Sequence, residues 1–324
     1  MDKIQTLPFN DFEELALEVF HFQASYNPLY KRYLELLDCH TENINSSDQI
    51  PFLPIQFFKT HTIQTGAWSP AVYFSSSGTT GSATSKHLLH SKDWYRQITQ
   101  KGFEHFYGPI ADYCVLGLLP SYLERNNSSL VFMVDHFIQL SKVSDSGFFL
   151  YEKDELLARI RKCQQNKVPV LLIGVSFALW DLAETHPIEY QEMIIMETGG
   201  MKGRRKEITR AELHRLYKQA FSIKEIHSEY GMTELLSQGY SKGNGIFAPI
   251  PSMCVLPRAI TDPLSKAAYG KTAALNIIDL ANLDTISFIA TDDLGKVYSD
   301  GAFEVLGRLD NSDLRGCNLL IDKY

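Results

Sequence analysis

A chain of 324 residues with 44% apolar side chains can bury a substantial core, as one large domain or two ordinary ones. Its net charge of −7, from 38 acidic and 31 basic side chains, argues against a general nucleic-acid binder. The opening residues mix carboxylates with aromatics, unlike a secretory signal or a spanning helix. The five scattered cysteines form no CxxC pair, so a cytoplasmic protein with reduced thiols, no structural zinc and no membrane association is expected.

In chain order, Asp11 is placed to cap a helix with Phe12, Leu15, Ala16, Val19 and Phe20 on one face, and a second helix is expected from Tyr30 to Leu37. Pro51 and Pro54, in IPFLPIQFFKT, favour an extended connector into a strand that ends before Ser75. Ser91 starts a helix to about Phe106, and YCVLGLLP (113–120) reads as a buried strand. Helices are expected from Ser128 to Gln139 and from Asp154 to Gln165, then strands VPVLLIG, ending at Gly174, and MIIM, stopping before Gly199. Thr209 and Glu212 form a capping box for a helix to Phe221, and a short strand Glu225 to Ser228 follows.

This alternation is α/β wiring, with function at the carboxyl ends of the strands. Beyond Pro249 the runs TAALNIIDL, TISFIATDD and GAFEVLGR are short and β-like. A division into an α/β core over 1–248 and a β-rich subdomain over 249–324 is therefore expected.

Between the strand before Ser75 and His87 lies SSSGTTGSATSKH. Eight of the twelve residues from Ser75 to Lys86 carry a hydroxyl, two are glycine and one is lysine. Such a turn presents backbone N–H groups and hydroxyls to one point, which suits a polyphosphate, although an ordinary surface turn has the same composition. It is not a Walker A loop, because Ser85 stands where that motif has glycine before the lysine. Gly174-Val175-Ser176-Phe177-Ala178 approaches a GxSxG nucleophile elbow but lacks its last glycine. His61, His87 and His227 read as structural histidines.

Taken in order, SSSGTTGSATSK, ETGGMKGR, EYGMTE, ATDDLG and FEVLGRLD resemble the nucleotide motifs of the adenylate-forming superfamily, in which a carboxylate attacks ATP to give an acyl-AMP. FEELALEVFHFQASYNPLYKRYL, IPFLPIQFFKTH, LPSYLERNNSSLVFMV and ETGGMKGRRKEI extend the resemblance to the LuxE-type acyl-protein synthetases over nearly the whole chain. The resemblance implies that superfamily's large N-terminal α/β domain with a β-rich C-terminal subdomain. Only Asn311 to Tyr324 follow GRLD, so the superfamily's mobile C-terminal domain is expected to be lacking.

The resemblance also assigns roles. Ser77, Gly78, Thr79, Thr80, Gly81 and Lys86 hold the β- and γ-phosphates of ATP; Ala83-Thr84-Ser85 replace the usual proline before the lysine and leave its register open. Gly199 and Gly200 let backbone approach the adenine, Tyr230 stacks on it, Thr233 bonds the α-phosphate and Glu234 ligates Mg²⁺. Asp293, with Asp292 as alternate, accepts from the ribose hydroxyls, and Arg308 reaches the sugar or the α-phosphate. Cys317, beside Arg315, takes the acyl group as a thioester and passes it on. Taken alone, Glu234 also reads as a helix-start carboxylate, Arg308 as a surface ion pair and Cys317 as a small buried hydrophobe.

The expected activity is ATP- and Mg²⁺-dependent activation of a carboxylic acid, fatty by the family, with transfer through Cys317 to an acceptor protein such as a reductase or carrier. Three rivals stay open: a phenylacetate-CoA-ligase-like enzyme, an ATP-independent acyltransferase, and a silent nucleotide-binding partner.

Overall fold

The computed structural model describes residues 12–76, 84–119, 127–199 and 208–309. Four helices start at side-chain caps; Asp11, the cap expected for the first helix, lies outside the described residues. Asn27 accepts from the Tyr30 N–H to open α2 (Pro28–Leu36), which follows α1 (Phe12–Tyr26). Ser91 caps α4 (Lys92–Tyr107), and Ser128 caps α5 (Ser129–Leu140). Thr209 and Glu212 make the reciprocal capping box of α8 (Arg210–Phe221). Between these lie the short α3 (Phe57–Thr60), α6 (Lys153–Asn166) and α7 (Ser176–Thr185), which begins directly where β6 (Val170–Val175) ends.

One mixed sheet carries the molecule. Its parallel part has the spatial order β5 (Gly147–Phe148), β4 (Cys114–Leu118), β6, β7 (Met193–Thr198), β8 (His227–Tyr230). β4 and β6 are buried along their whole length, as continuous apolar strands covered on both faces must be. At β8 the sheet turns antiparallel. It continues through β9 (Gly239–Ser241), β10 (Ile246–Pro249), β14 (Phe303–Arg308), β13 (Phe288–Val297), β12 (Thr272–Asp279) and β11 (Met253–Arg258). The boundary expected at 248/249 falls inside this continuous sheet, within β10 itself.

One edge of β13 is shared. Its first residues pair in parallel with β1 (Leu53–Pro54), Leu53 opposite Ile289, while Asp293 to Val297 pair with β14. The neighbour changes at Asp292 and Asp293. Phe288 of β13 also receives Phe20 and Tyr30, at ring distances of 6.0 and 6.3 Å, so α1 and α2 pack on the antiparallel half of the sheet.

Two expectations shift. The strand expected over Glu225 to Ser228 runs instead from His227 to Tyr230, so the first residues of EYGMTE are strand residues. The loop after β2 (Val72–Ser75) returns as β3 (Lys86–Leu89), antiparallel to it. Among the described residues no helix is long and apolar enough to cross a membrane.

Candidate active site

A cleft of about 1560 Å³ opens at the carboxyl ends of β6, β7 and β8 and is walled on the other side by Thr291, Asp292 and Asp293 in the middle of β13 and by β14 from Glu304 to Arg308. Ligands of open α/β sheets bind at that end of the strands. Ser176, Thr198, Gly199 and Tyr230, at or just beyond those strand ends, all line it.

On one wall stands Glu234, 6% exposed. Burial raises its carboxyl above the usual range, and a hydrogen bond from Ser85 partly offsets this. Ser85 belongs to the base of the hydroxyl-rich loop, whose two ends are zipped together. The Ser76 N–H donates to the Ser85 carbonyl at 3.2 Å and the Ser85 N–H to Ser76 Oγ at 2.9 Å. The loop thus leaves and re-enters beside Glu234. The segment that carries Glu234 is irregular and is pinned from outside. His87 Nδ1 donates to the Thr233 carbonyl at 2.7 Å, and Asn282 Nδ2 to the Glu234 carbonyl at 2.8 Å. Fully buried Asp279 accepts from the N–H groups of Leu236 and Ser237 at 2.7 and 3.0 Å. His87 is fully enclosed, and desolvation lowers it to about 4, so it is neutral and its Nδ1 proton is committed to Thr233. It is structural, as expected, but what it structures is the site.

On the opposite wall Asp293 accepts from the Tyr230 hydroxyl at 2.7 Å and from Arg308 Nε at 3.3 Å. Asp293 and Arg308 are register partners across β13 and β14. Burial pushes the Tyr230 phenol well above its usual range, so it stays a donor. Its ring lies edge-on to Phe247 and Phe303, at 6.0 and 5.3 Å. This phenol-to-carboxylate support was not foreseen from the motif, where Tyr230 read only as a stacking ring. The Arg308 side chain is 77% exposed, so its pair with Asp293 is weak and open to exchange with a ligand anion. Asp292, the alternate, accepts instead from Gln56 Nε2.

The floor holds two more carboxyls, which the sequence did not single out. Glu197 accepts from Ser176 Oγ at 2.7 Å and bonds His214 Nε2 at 3.1 Å. Burial would raise it, but those bonds outweigh burial and hold it below the usual carboxylate range. Ser176 therefore points its proton at a carboxylate, and also at the Gly199 carbonyl at 2.7 Å, while His214 lies beyond that carboxylate. That order is not a hydrolase triad, in which a histidine takes the serine proton. Glu229 is pushed by burial to about 7, with Thr198 Oγ1 donating to it at 2.5 Å. A Cβ at Gly231 would run into the Glu229 carboxylate, so a side chain there would have to displace that carboxylate. Gly199 has φ +72°, a backbone angle that glycine adopts without strain.

Of the residues assigned from the sequence, Gly199, Tyr230, Thr233, Glu234, Asp293 and Arg308 meet in this cleft. Lys86 does not join them. Strand alternation turns Ser85 and His87 inward and Lys86 outward, where its Nζ lies 5.9 Å from the Tyr73 ring centre. Ser77, Gly78, Thr79, Thr80, Gly81, Gly200 and Cys317 lie outside the described residues.

No protein-family model matches the chain, and no curated protein matches it. Solved structures do. ATP-bound MatB from Rhodopseudomonas palustris superposes with a TM-score of 0.55 at 17% identity, over 76% of this chain and 50% of its own. The O-succinylbenzoate coenzyme A synthetase MenE from Bacillus subtilis, in complex with ATP and magnesium, gives 0.54 at 16%, over 74% and 50%. An open 2-hydroxyisobutyryl-CoA ligase in complex with 2-HIB-AMP and CoA gives 0.67 at 12%, over 96% and 78%. The fold is that of the adenylate-forming enzymes. The chain spans about half the length of MatB and MenE.

Proposed function

We propose that the protein activates a carboxylic acid as its acyl-adenylate and passes the acyl group through Cys317 to a protein or thiol acceptor, in the manner of the LuxE-type acyl-protein synthetases. In this reading a substrate carboxylate oxygen bonds the α-phosphorus of ATP, the bond from that phosphorus to the pyrophosphate oxygen breaks, and pyrophosphate leaves. The Cys317 thiolate then attacks the acyl carbon, and AMP leaves with the electron pair of the broken carbon–oxygen bond. The β-rich part from 249 onward completes the nucleotide site.

The observation that carries the reading is one cleft, at the carboxyl ends of the parallel strands, with the buried Glu234 on one wall and the Tyr230–Asp293–Arg308 set on the other. Asp293 and Arg308 suit a sugar and its phosphate, one accepting and one donating. The residues also fit magnesium. Among the described residues no three His, Cys, Asp or Glu form a metal cage, and Mg²⁺ characteristically takes one or two carboxylates and completes its shell with substrate phosphates and water. Glu234 would hold it, and the ion would offset charge developing on the phosphates.

With a suitable acid present, the purified chain is expected to exchange labelled pyrophosphate into ATP, and to show an acyl adduct in its intact mass that hydroxylamine removes. No exchange over a broad panel of acids would end the adenylation reading. Acylation and turnover of Cys317→Ser like the native chain would end the relay alone. The match to a CoA-bound ligase over 96% of the chain favours, as a second reading, coenzyme A as direct acceptor, which CoA-dependent AMP release would reveal.

A further inference from the structure

Lys86 faces away from the cleft, yet a lysine does stand in its wall. Lys59 lines the cleft from α3, at the end of the segment Ile50 to Thr60 that the sequence suggested was only a connector. That segment is fixed at several points. The Tyr30 and Tyr33 hydroxyls donate to the Pro51 and Phe52 carbonyls, at 2.6 and 3.1 Å. β1 pairs with β13, and Gln56 reaches Asp292. Phe58, 2% exposed, sets its ring edge-on against His87 at 5.4 Å, the same His87 that holds the Thr233 carbonyl.

Next in the chain, Lys59 is exposed on the cleft side, and its charge is felt by Glu234, whose carboxylate it favours. It lines the same cleft as the carboxylate proposed for magnesium and the Ser76–Ser85 base of the hydroxyl loop. Of the other cations lining it, Arg308 stands at Asp293 on the opposite wall, Lys218 is paired with Glu225 and Arg210 donates to the Val305 carbonyl. A flexible ammonium at that wall is a point charge for phosphate oxygens.

Resting on the nucleotide reading above, we propose that Lys59, not Lys86, is a cation that the cleft offers to the phosphate chain of its nucleotide, held there by the strap from residue 50 to residue 60. Calorimetric titration of the full chain with ATP, pyrophosphate and AMP, each with magnesium, tests this. Lys59→Met is expected to weaken ATP and pyrophosphate binding by about tenfold or more, the worth of one charge-assisted contact, while AMP stays within about twofold. Lys59→Arg is expected to recover most of the loss, and Lys86→Met to bind as the native chain does. The proposal is overturned if Lys59→Met binds ATP normally, if ATP and AMP weaken together, or if the loss follows Lys86. A native chain that binds neither nucleotide would remove the nucleotide reading itself, whereas native binding that Lys59→Met leaves intact removes only the role of Lys59.

Discussion

Glu229 and Glu234 sit five residues apart in one short motif, and burial acts on both in the same direction. For Glu229 the consequence is a measurable pH dependence. Its carboxyl ionises near 4.5 when unfolded and near 7 when folded, because burial disfavours the charge. Between those values the folded chain keeps a proton that the unfolded chain has lost. The stability associated with the protonated group is whole below pH 4.5 and drains away as pH rises through 7. Glu229→Gln keeps an acceptor for Thr198 and has nothing to ionise. Relative to the native chain it should gain roughly 3 kcal/mol between pH 4.5 and pH 8. Urea denaturation at several pH values measures this, and parallel profiles for the two proteins would contradict it. None of this was legible in EYGMTE, since an acidic residue in a string of letters carries no depth. The same limit explains Lys86: composition put a lysine in the loop, whereas the two-residue period of β3 decided that it faces outward beside inward-facing Ser85 and His87.

Elements with a period or a cap were readable before any coordinates. Ser91, Ser128 and the Thr209–Glu212 box each begin the helix expected of them. Apolar runs became β4, β6 and β7. The segment from Gly231 to Ser237 has neither period nor cap, and its shape is imposed from afar. Asp279, more than forty positions on, binds the backbone of Leu236 and Ser237 and also accepts from Ser237 Oγ at 2.6 Å and the Ala281 N–H at 3.1 Å. An amide there accepts at only one atom and adds donors with no partner. Asp279→Asn should therefore cost about 2–4 kcal/mol of stability, read from the urea midpoint. At temperatures where the fold survives, it should also weaken ATP binding, because Glu234 follows the same backbone. A stable variant with native nucleotide affinity would mean that the segment holds its own shape.

At the scale of the molecule, the change from parallel to antiparallel pairing at β8 and β9 lets the carboxyl ends of the parallel strands face the middle of β13 and the last residues of β14 across the cleft. The alternation of strands and helices foretold the first half of this sheet, and the short β-like runs the second. Their union into a single sheet was not foretold, because pairing such as β10 with β14 leaves no mark in local sequence. A ligand that bridges both walls stabilises the whole sheet through binding only the folded form. Magnesium and ATP at a hundred times their Kd should add about 2.7 kcal/mol to the unfolding free energy, seen as a rise in Tm. An unchanged Tm under saturating nucleotide would mean that the walls do not close on one ligand.

The strap that carries Gln56 has its partner Asp292 a full 236 residues later in the chain. During synthesis that interval lasts roughly 10–50 s at ordinary ribosomal rates. Until β13 emerges, Leu53 has no strand to pair with, and Phe20 and Tyr30 wait for Phe288. A nascent chain stalled before this point would leave Phe20, Tyr30 and Leu53 without these partners, so the joining of some of the oldest residues to the sheet waits on residues made much later.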